Sequence, residues 1–212
     1  MTSEIVFRVL FTTVFVAFWI VRMYYVRKTR NPAKPRSRAE RREAMKKEGW
    51  TGIALVILTP IELIIIILYI LNPIWMMWAT LVVDEGARWL GFAFMIVSLP
   101  FMAWVHRTLG KHYSYALETK IEQAIVREGP YARLRHPLYS AHNLFNLGMI
   151  LFTVYVPLII FAVIGIPITY SRMKSEESML VREFGDDYTG YMHRTGRIFP
   201  KVRRSSSSKN ET

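Results

Sequence analysis

Three side chains that could hold an anion stand within four positions of one another, at the point where a turn becomes an apolar run. Residues 128–139 read Glu-Gly-Pro-Tyr-Ala-Arg-Leu-Arg-His-Pro-Leu-Tyr, which puts Arg133, Arg135 and His136 directly before Pro137. Proline suits the first helical position, because its missing N–H would have no helical partner there. A helix start carrying arginine and histidine joins side-chain cations to the positive end of the helix dipole and can hold a carboxylate or phosphate. A second chemistry-bearing group closes the last apolar run, where Arg172 and Glu176 are four apart and share one helical face. Each cluster also has a plainer reading: arginines snorkelling at a helix start, and an ion pair at a membrane surface.

The elements that position these residues are long and apolar. The chain has 212 residues, 52% hydrophobic and 14% aromatic, with a mean hydropathy of +0.19. This composition fits a small polytopic membrane protein better than a basic globular domain. Apolar runs cover about 4–21, 50–71, 86–105, 138–154 and 156–171. The first three approach the ~20 residues needed to cross a bilayer. The last two are shorter and are divided at Val156-Pro157, which predicts a tight helical hairpin. The expectation is an all-α integral membrane protein of about five spans.

The net charge is +12, and its placement argues for topology rather than nucleic acid. Of 28 Lys and Arg, eleven lie in 22–47, six in 106–136 and nine from 172 onward, leaving only Arg8 and Arg88. The positive-inside rule puts those three segments in the cytoplasm and the N-terminus and the 72–85 loop outside. The surplus charge then faces anionic headgroups. The chain divides into a first span with its basic linker (1–49), two further spans (50–105), a chemistry-bearing region (106–204) and a polar tail (205–212). A short surface helix is expected near 37–48 and an amphipathic helix over 176–191, with Gly185 a point of interruption. Residues 106–139 and 172–200 flank the hairpin, so folding it brings them together into one site.

Absences narrow the chemistry. There is no cysteine, hence no disulfide, thiolate ligand or cysteine nucleophile. Neither a dinucleotide Gly-x-Gly-x-x-Gly nor a phosphate loop is present. His136 and His142 fall on different helical faces, so no metal is expected. Glu62, after Pro60 in the second span, is an intramembrane carboxyl that needs a partner; function and local bonding explain it equally, and it stays outside the candidate site. Met76, Met77, Met95 and Met102 are read as packing or lipid-facing residues.

Taken in order, Gly129-Pro-Tyr131, Arg135-His136-Pro137-Leu138-Tyr139, Glu176-Glu177, Phe184-Gly185-Asp-Asp-Tyr188, Tyr191 and Arg197-Ile-Phe-Pro200 resemble the isoprenylcysteine carboxyl methyltransferase family, and related phospholipid methyltransferases share part of this pattern. The resemblance covers about 86–202. It implies S-adenosylmethionine as methyl donor, held by Gln123, Ala124, Ile125, Val126, Tyr131, His136, Pro137, Leu138, Tyr139 and Glu176, with Ala116 or Leu117 adjacent. It also implies that Arg172 meets the acceptor's carboxylate, and Arg135 joins the catalytic set. The implied acceptor is a lipophilic small molecule or a prenylated peptide, reached from the lipid bilayer. Methyl transfer is an in-line displacement that needs no metal or covalent enzyme intermediate. Alignment and exclusion of water supply most of its rate. Three alternatives remain: a phospholipid N-methyltransferase, for whose cationic amine Arg172 is a poor partner; an NADPH-dependent sterol-type reductase, a family with a similar Arg-His-Pro and Ile-Phe-Pro pattern but longer chains; and a non-enzymatic scaffold. The active site is expected to face the cytoplasm, in a prokaryotic cell membrane or the endoplasmic reticulum.

Overall fold

The structure, a computed structural model, describes residues 2–29, 38–110 and 125–201. Over these residues the chain is an all-α integral membrane protein with six helices: α1 (Thr2–Thr29), α2 (Arg38–Leu71), α3 (Glu85–Leu109), α4 (Pro137–Thr153), α5 (Val156–Phe184) and α6 (Asp186–Arg194). Two short 3-10 turns, Ile74–Ala79 and Gly129–Ala132, join the longer elements. No strand forms among the described residues, only isolated bridges between Thr80 and Tyr155 and between Leu134 and Gly196.

Among the described residues, four helices are long and apolar enough to cross a membrane: Glu4–Lys28, Gly49–Leu71, Glu85–Leu109 and Val156–Phe184. The fifth expected span, α4, has 17 residues. At 1.5 Å per residue it is about 26 Å long, at the short limit for a ~30 Å hydrocarbon core. The predicted hairpin is present. Its turn is Val154, in left-handed conformation, and Tyr155, with Pro157 in the first turn of α5. The surface helix expected near 37–48 is the first part of α2, set off from the span by Gly49 at φ 59°. The amphipathic helix expected over 176–191 is divided differently: residues to Phe184 continue α5, Gly185 at φ 54° breaks the helix, and α6 follows. The apolar run ends near 171, but the polar residues after it, Lys174, Glu176 and Glu177 among them, are good helix formers and carry the helix on.

The bundle centres on α3 and α4. Gly91 and Gly148 face one another so closely that a Cβ on Gly91 would lie 2.5 Å from the Phe152 amide nitrogen, and one on Gly148 would lie 2.6 Å from the Gly91 carbonyl. Small residues allow this backbone approach, which brings van der Waals packing where lipid offers no hydrophobic drive. Around it lie Met95, Met102, Phe145, Met149 and Phe152, with Phe7, Phe11 and Phe18 from α1. Phe18 stacks on Phe145 at 4.0 Å between ring centroids.

The two basic residues outside the charge clusters share one carboxylate at one end of the bundle. Arg88 is buried, ion-paired with Glu4, and donates to the Phe152 carbonyl at 2.9 Å. Arg8 donates to the Tyr69 carbonyl and lies near Glu4 at 4.0 Å. Trp75 and Trp78 are exposed in the neighbouring 3-10 turn, a placement suited to the lipid–water boundary. At the opposite end Arg22 contacts His142, and Arg107 donates to the Tyr25 hydroxyl at 2.7 Å. The two chemistry-bearing segments also lie at this second end.

Candidate functional site

The turn that opens α4 is built by short-range backbone geometry and fixed by the C-terminal segment. Gly129 takes φ 52°, which starts the Gly129–Ala132 turn, and Pro130 and Tyr131 are buried. The Tyr191 hydroxyl in α6 donates to the carbonyls of Tyr131 at 2.7 Å and Leu134 at 3.1 Å. Burial pushes the Tyr191 phenol up to about 12, so it remains a donor at ordinary pH. The strand-like segment before α4 then pairs with the chain after α6. Arg135 N–H donates to the Gly196 carbonyl at 2.8 Å, and His136 N–H to the Arg197 carbonyl at 2.9 Å. Ser140 Oγ adds a bond to the Ile198 carbonyl at 2.8 Å. These contacts lock the start of α4 to residues about sixty positions away.

The tandem glutamates on α5 point to different partners, because successive helical residues are about 100° apart. Glu177 is buried and saturated. It accepts from Arg135 Nε at 2.8 Å, Arg197 Nη2 at 2.5 Å and Nε at 3.1 Å, and lies 3.2 Å from His136 Nε2. Arg135 uses its Nη1 on the carbonyls of Met192 at 2.9 Å and Thr195 at 2.7 Å. Arg197 also lies over the Tyr170 ring, 5.2 Å from its centroid. Charge-assisted bonds of this kind are among the stronger ones in proteins, and together they tie α4, α5 and the segment after α6.

Glu176 is more open, with 24% of its side chain exposed against 5% for Glu177. It accepts from the Tyr139 hydroxyl at 2.7 Å. His136 Nδ1 is 3.5 Å from one of its oxygens and Arg172 Nε 3.6 Å from the other. His136 therefore sits between the two glutamates. Burial alone would lower its affinity for a proton, but hydrogen bonds to Glu176 and Glu177 and their charges outweigh burial and raise it above the usual histidine value. The bond to Glu177 likewise raises Arg197, against the opposing effect of burial.

The folded chain brings together Arg135, His136, Tyr139, Arg172 and Glu176 from the expected site, with Pro137 and Leu138 in the same first turn of α4. Tyr131 is close in the fold but is buried beneath Tyr191. Ile125 and Val126 are half-buried in the segment leading to the turn. Gln123 and Ala124 lie outside the described residues, as do residues 116 and 117 and the tail from 205. Arg135, expected in the catalytic set, has its guanidinium bound to Glu177 and two carbonyls. Sequence reasoning gave no role to Glu177 or Arg197, although both stood in the quoted pattern. The available signal was the tandem Glu176-Glu177: two adjacent carboxylates at the end of a basic, apolar helix need more than one set of cations.

Three arginines and a histidine against two glutamates leave the cluster positive, so it suits a ligand with an anionic end. The exposed edge of Glu176, beside the Tyr139 hydroxyl, suits an amine or hydroxyl. Among the described residues no group of histidines and carboxylates could hold a metal ion. Comparison with curated proteins gives no match. Residues 87–187, from the first turn of α3 to the start of α6, match the model of the phospholipid methyltransferase family, the membrane methyltransferases related to the isoprenylcysteine carboxyl methyltransferases, and the matched stretch of this multi-pass membrane protein holds Arg135, His136, Tyr139, Arg172, Glu176 and Glu177.

Proposed function

We propose that the protein transfers a methyl group from S-adenosylmethionine to a lipid-embedded acceptor, and that the acceptor group is a carboxylate, as on a prenylated cysteine or a similar lipophilic acid. The observation that carries this reading is the division between the two glutamates. Glu177 holds the scaffold together, while Glu176, Tyr139, His136 and Arg172 leave a polar face beside apolar helices.

The donor set fits the cofactor's functional groups. His136 and the first turn of α4, whose amides at Leu138 and Tyr139 lack helical carbonyl partners, suit its carboxylate. Glu176 suits its amine or a ribose hydroxyl. Tyr131, Ile125 and Val126 would form the adjoining wall. When bound, S-adenosylmethionine supplies an electrophilic methyl group on a sulfonium. The chain's part is to orient that group and exclude water around it, since positioning supplies most of what a displacement of this kind requires. Arg172, buried one turn before Glu176, would hold the acceptor carboxylate in line. An ionised carboxylate needs no general base. Arg135 acts as a positioning residue through Glu177 and the Met192 and Thr195 carbonyls.

A second reading, a phospholipid N-methyltransferase, is favoured by the description of the matching family. It uses the same cofactor residues but puts a cationic amine near Arg172. The sterol-type reductase has no comparable support. The active site is proposed to face the cytoplasm, because it lies at the end of the bundle where the basic segments gather.

Calorimetric titration of the detergent-purified protein with S-adenosylhomocysteine, and separately with NADPH, tests this. Saturable binding of the first, weakened in Glu176→Ala and absent for NADPH, is expected. Binding of NADPH alone would move the protein to the reductases and void the assigned site. Turnover of a prenylcysteine acid against phosphatidylethanolamine then separates the two acceptors.

A further inference from the structure

Between α1 and α2, where the two helices splay, lies a crevice of about 1080 Å³. Its α1 wall is Phe15, Trp19, Met23 and Tyr24, and Thr59, Glu62 and Leu63 face them from α2. Arg27 and Lys28 stand at its basic end. The opposite face of α1 presents Phe18 and Arg22 to α4 and Tyr25 to α3. The crevice is therefore separated by a helix from the start of α4, and it lies wholly outside the segment that matches the methyltransferase family.

Three observations point to what fills it. Its volume is at the upper end of that of small-molecule pockets, and its walls are mostly hydrocarbon and aromatic, as a lipid chain requires. Glu62 makes no hydrogen bond or ion pair among the described residues. A carboxyl within a membrane span needs a polar partner; none of the described residues supplies one, and a polar group of a bound ligand can. Finally, neither Arg27 nor Lys28 is paired with a carboxylate among the described residues, and both are exposed at the rim. Phe11 packs on Tyr69 at 5.1 Å, which sets the antiparallel register of α1 and α2 and puts Glu62 level with about Trp19. Nine residues then separate that level from Lys28, about 13 Å of helix rise. The long basic side chains reach across part of this distance.

We propose that this crevice is a binding site for an anionic glycerophospholipid, distinct from the methyl acceptor. Arg27 and Lys28 hold the phosphate. The carboxyl of Glu62, a donor in its neutral form, meets an ester carbonyl deeper in the lipid. One acyl chain runs along Phe15, Trp19 and Ile66. The site does not depend on the methyl-transfer reading.

Native mass spectrometry of the purified full chain tests it, with added phosphatidylglycerol and phosphatidylcholine of identical acyl chains. One phosphatidylglycerol should be retained, several-fold in preference to phosphatidylcholine. Arg27→Gln with Lys28→Gln should remove the preference between headgroups. Glu62→Leu should lower retention of phosphatidylglycerol several-fold, whereas Glu62→Gln, which keeps a donor, should hold it. Equal retention of the two lipids by the natural chain would overturn the proposal, as would a phosphatidylglycerol preference undiminished by the double substitution. A photoactivatable phosphatidylglycerol on the unaltered protein should label residues 15–28 or 59–66, and labelling confined elsewhere would also overturn it. This arm needs no variant to fold.

Discussion

Glu177→Gln isolates the part of the site that holds the fold from the part that holds ligand. In the native chain the Glu177 carboxylate, with 5% of its side chain exposed, neutralises Arg135 at 2.8 Å and Arg197 at 2.5 Å. Glutamine keeps the shape and one acceptor oxygen but removes the charge. It leaves two guanidiniums and His136 facing each other in a largely water-free space. Breaking a buried pair by removing one partner costs about 3–5 kcal/mol. Because glutamine still accepts one hydrogen bond, the lower end, about 3 kcal/mol, is expected. For a chain of this size that is a fall in Tm of roughly 6–12 °C. Glu176→Gln removes a carboxylate that is 24% exposed and whose cationic neighbours lie at 3.5 and 3.6 Å, so its cost is about 1 kcal/mol, or roughly 2–4 °C. Thermal unfolding in detergent, with S-adenosylhomocysteine titration on each variant at a temperature where both are folded, gives the comparison. Glu177→Gln should melt early yet keep most of its ligand affinity when folded. Glu176→Gln should melt near the natural chain and bind ligand weakly. If the two exchange behaviour, the assignment of scaffold and ligand roles is wrong.

The remaining predictions concern other parts of the bundle and site. His136 binds its proton more tightly when folded, so its contribution to stability is fully present below the unfolded value of about 6.5 and is lost as pH rises through the higher folded value. Tm of the natural chain should accordingly fall as pH rises past neutrality, and His136→Gln should flatten that slope. Arg172→Ala should raise the KM for a lipophilic acid or abolish turnover while S-adenosylhomocysteine affinity stays; loss of that affinity would put Arg172 in the other pocket. Gly148→Ala places a Cβ 2.6 Å from the Gly91 carbonyl and 2.8 Å from the Met95 amide nitrogen. Backbone must move to admit it, at about 1–3 kcal/mol, and the lowered Tm should come with no selective change in KM.

Local pattern accounts for how much of this was legible in the chain itself. Hydropathy over twenty-residue windows locates α1, α2, α3 and α5, because a lipid-exposed helix must be apolar along its own length and needs no partner to declare it. Gly185 marks a break, and Pro157 the first turn of the helix after one, because their effect is on their own backbone. The Arg135-His136-Pro137 turn and the Arg172–Glu176 face are legible for the same reason: both lie within one or two helical turns. The tertiary structure alone decides which glutamate does what. Glu176 and Glu177 are identical in type and adjacent in sequence, and only the rotation of α5 against α4 turns one toward Arg135, 42 positions earlier, and Arg197, 20 positions later. That rotation is held by residues distant in sequence, through the bonds of Arg135 and Arg197 to Glu177 and the pairing of residues 135–136 with 196–197. The depth of Glu62 could be read from the chain. That it opens onto a crevice instead of a neighbouring helix depends on how far α1 and α2 splay, which is set by three-dimensional packing and not by the composition of either helix.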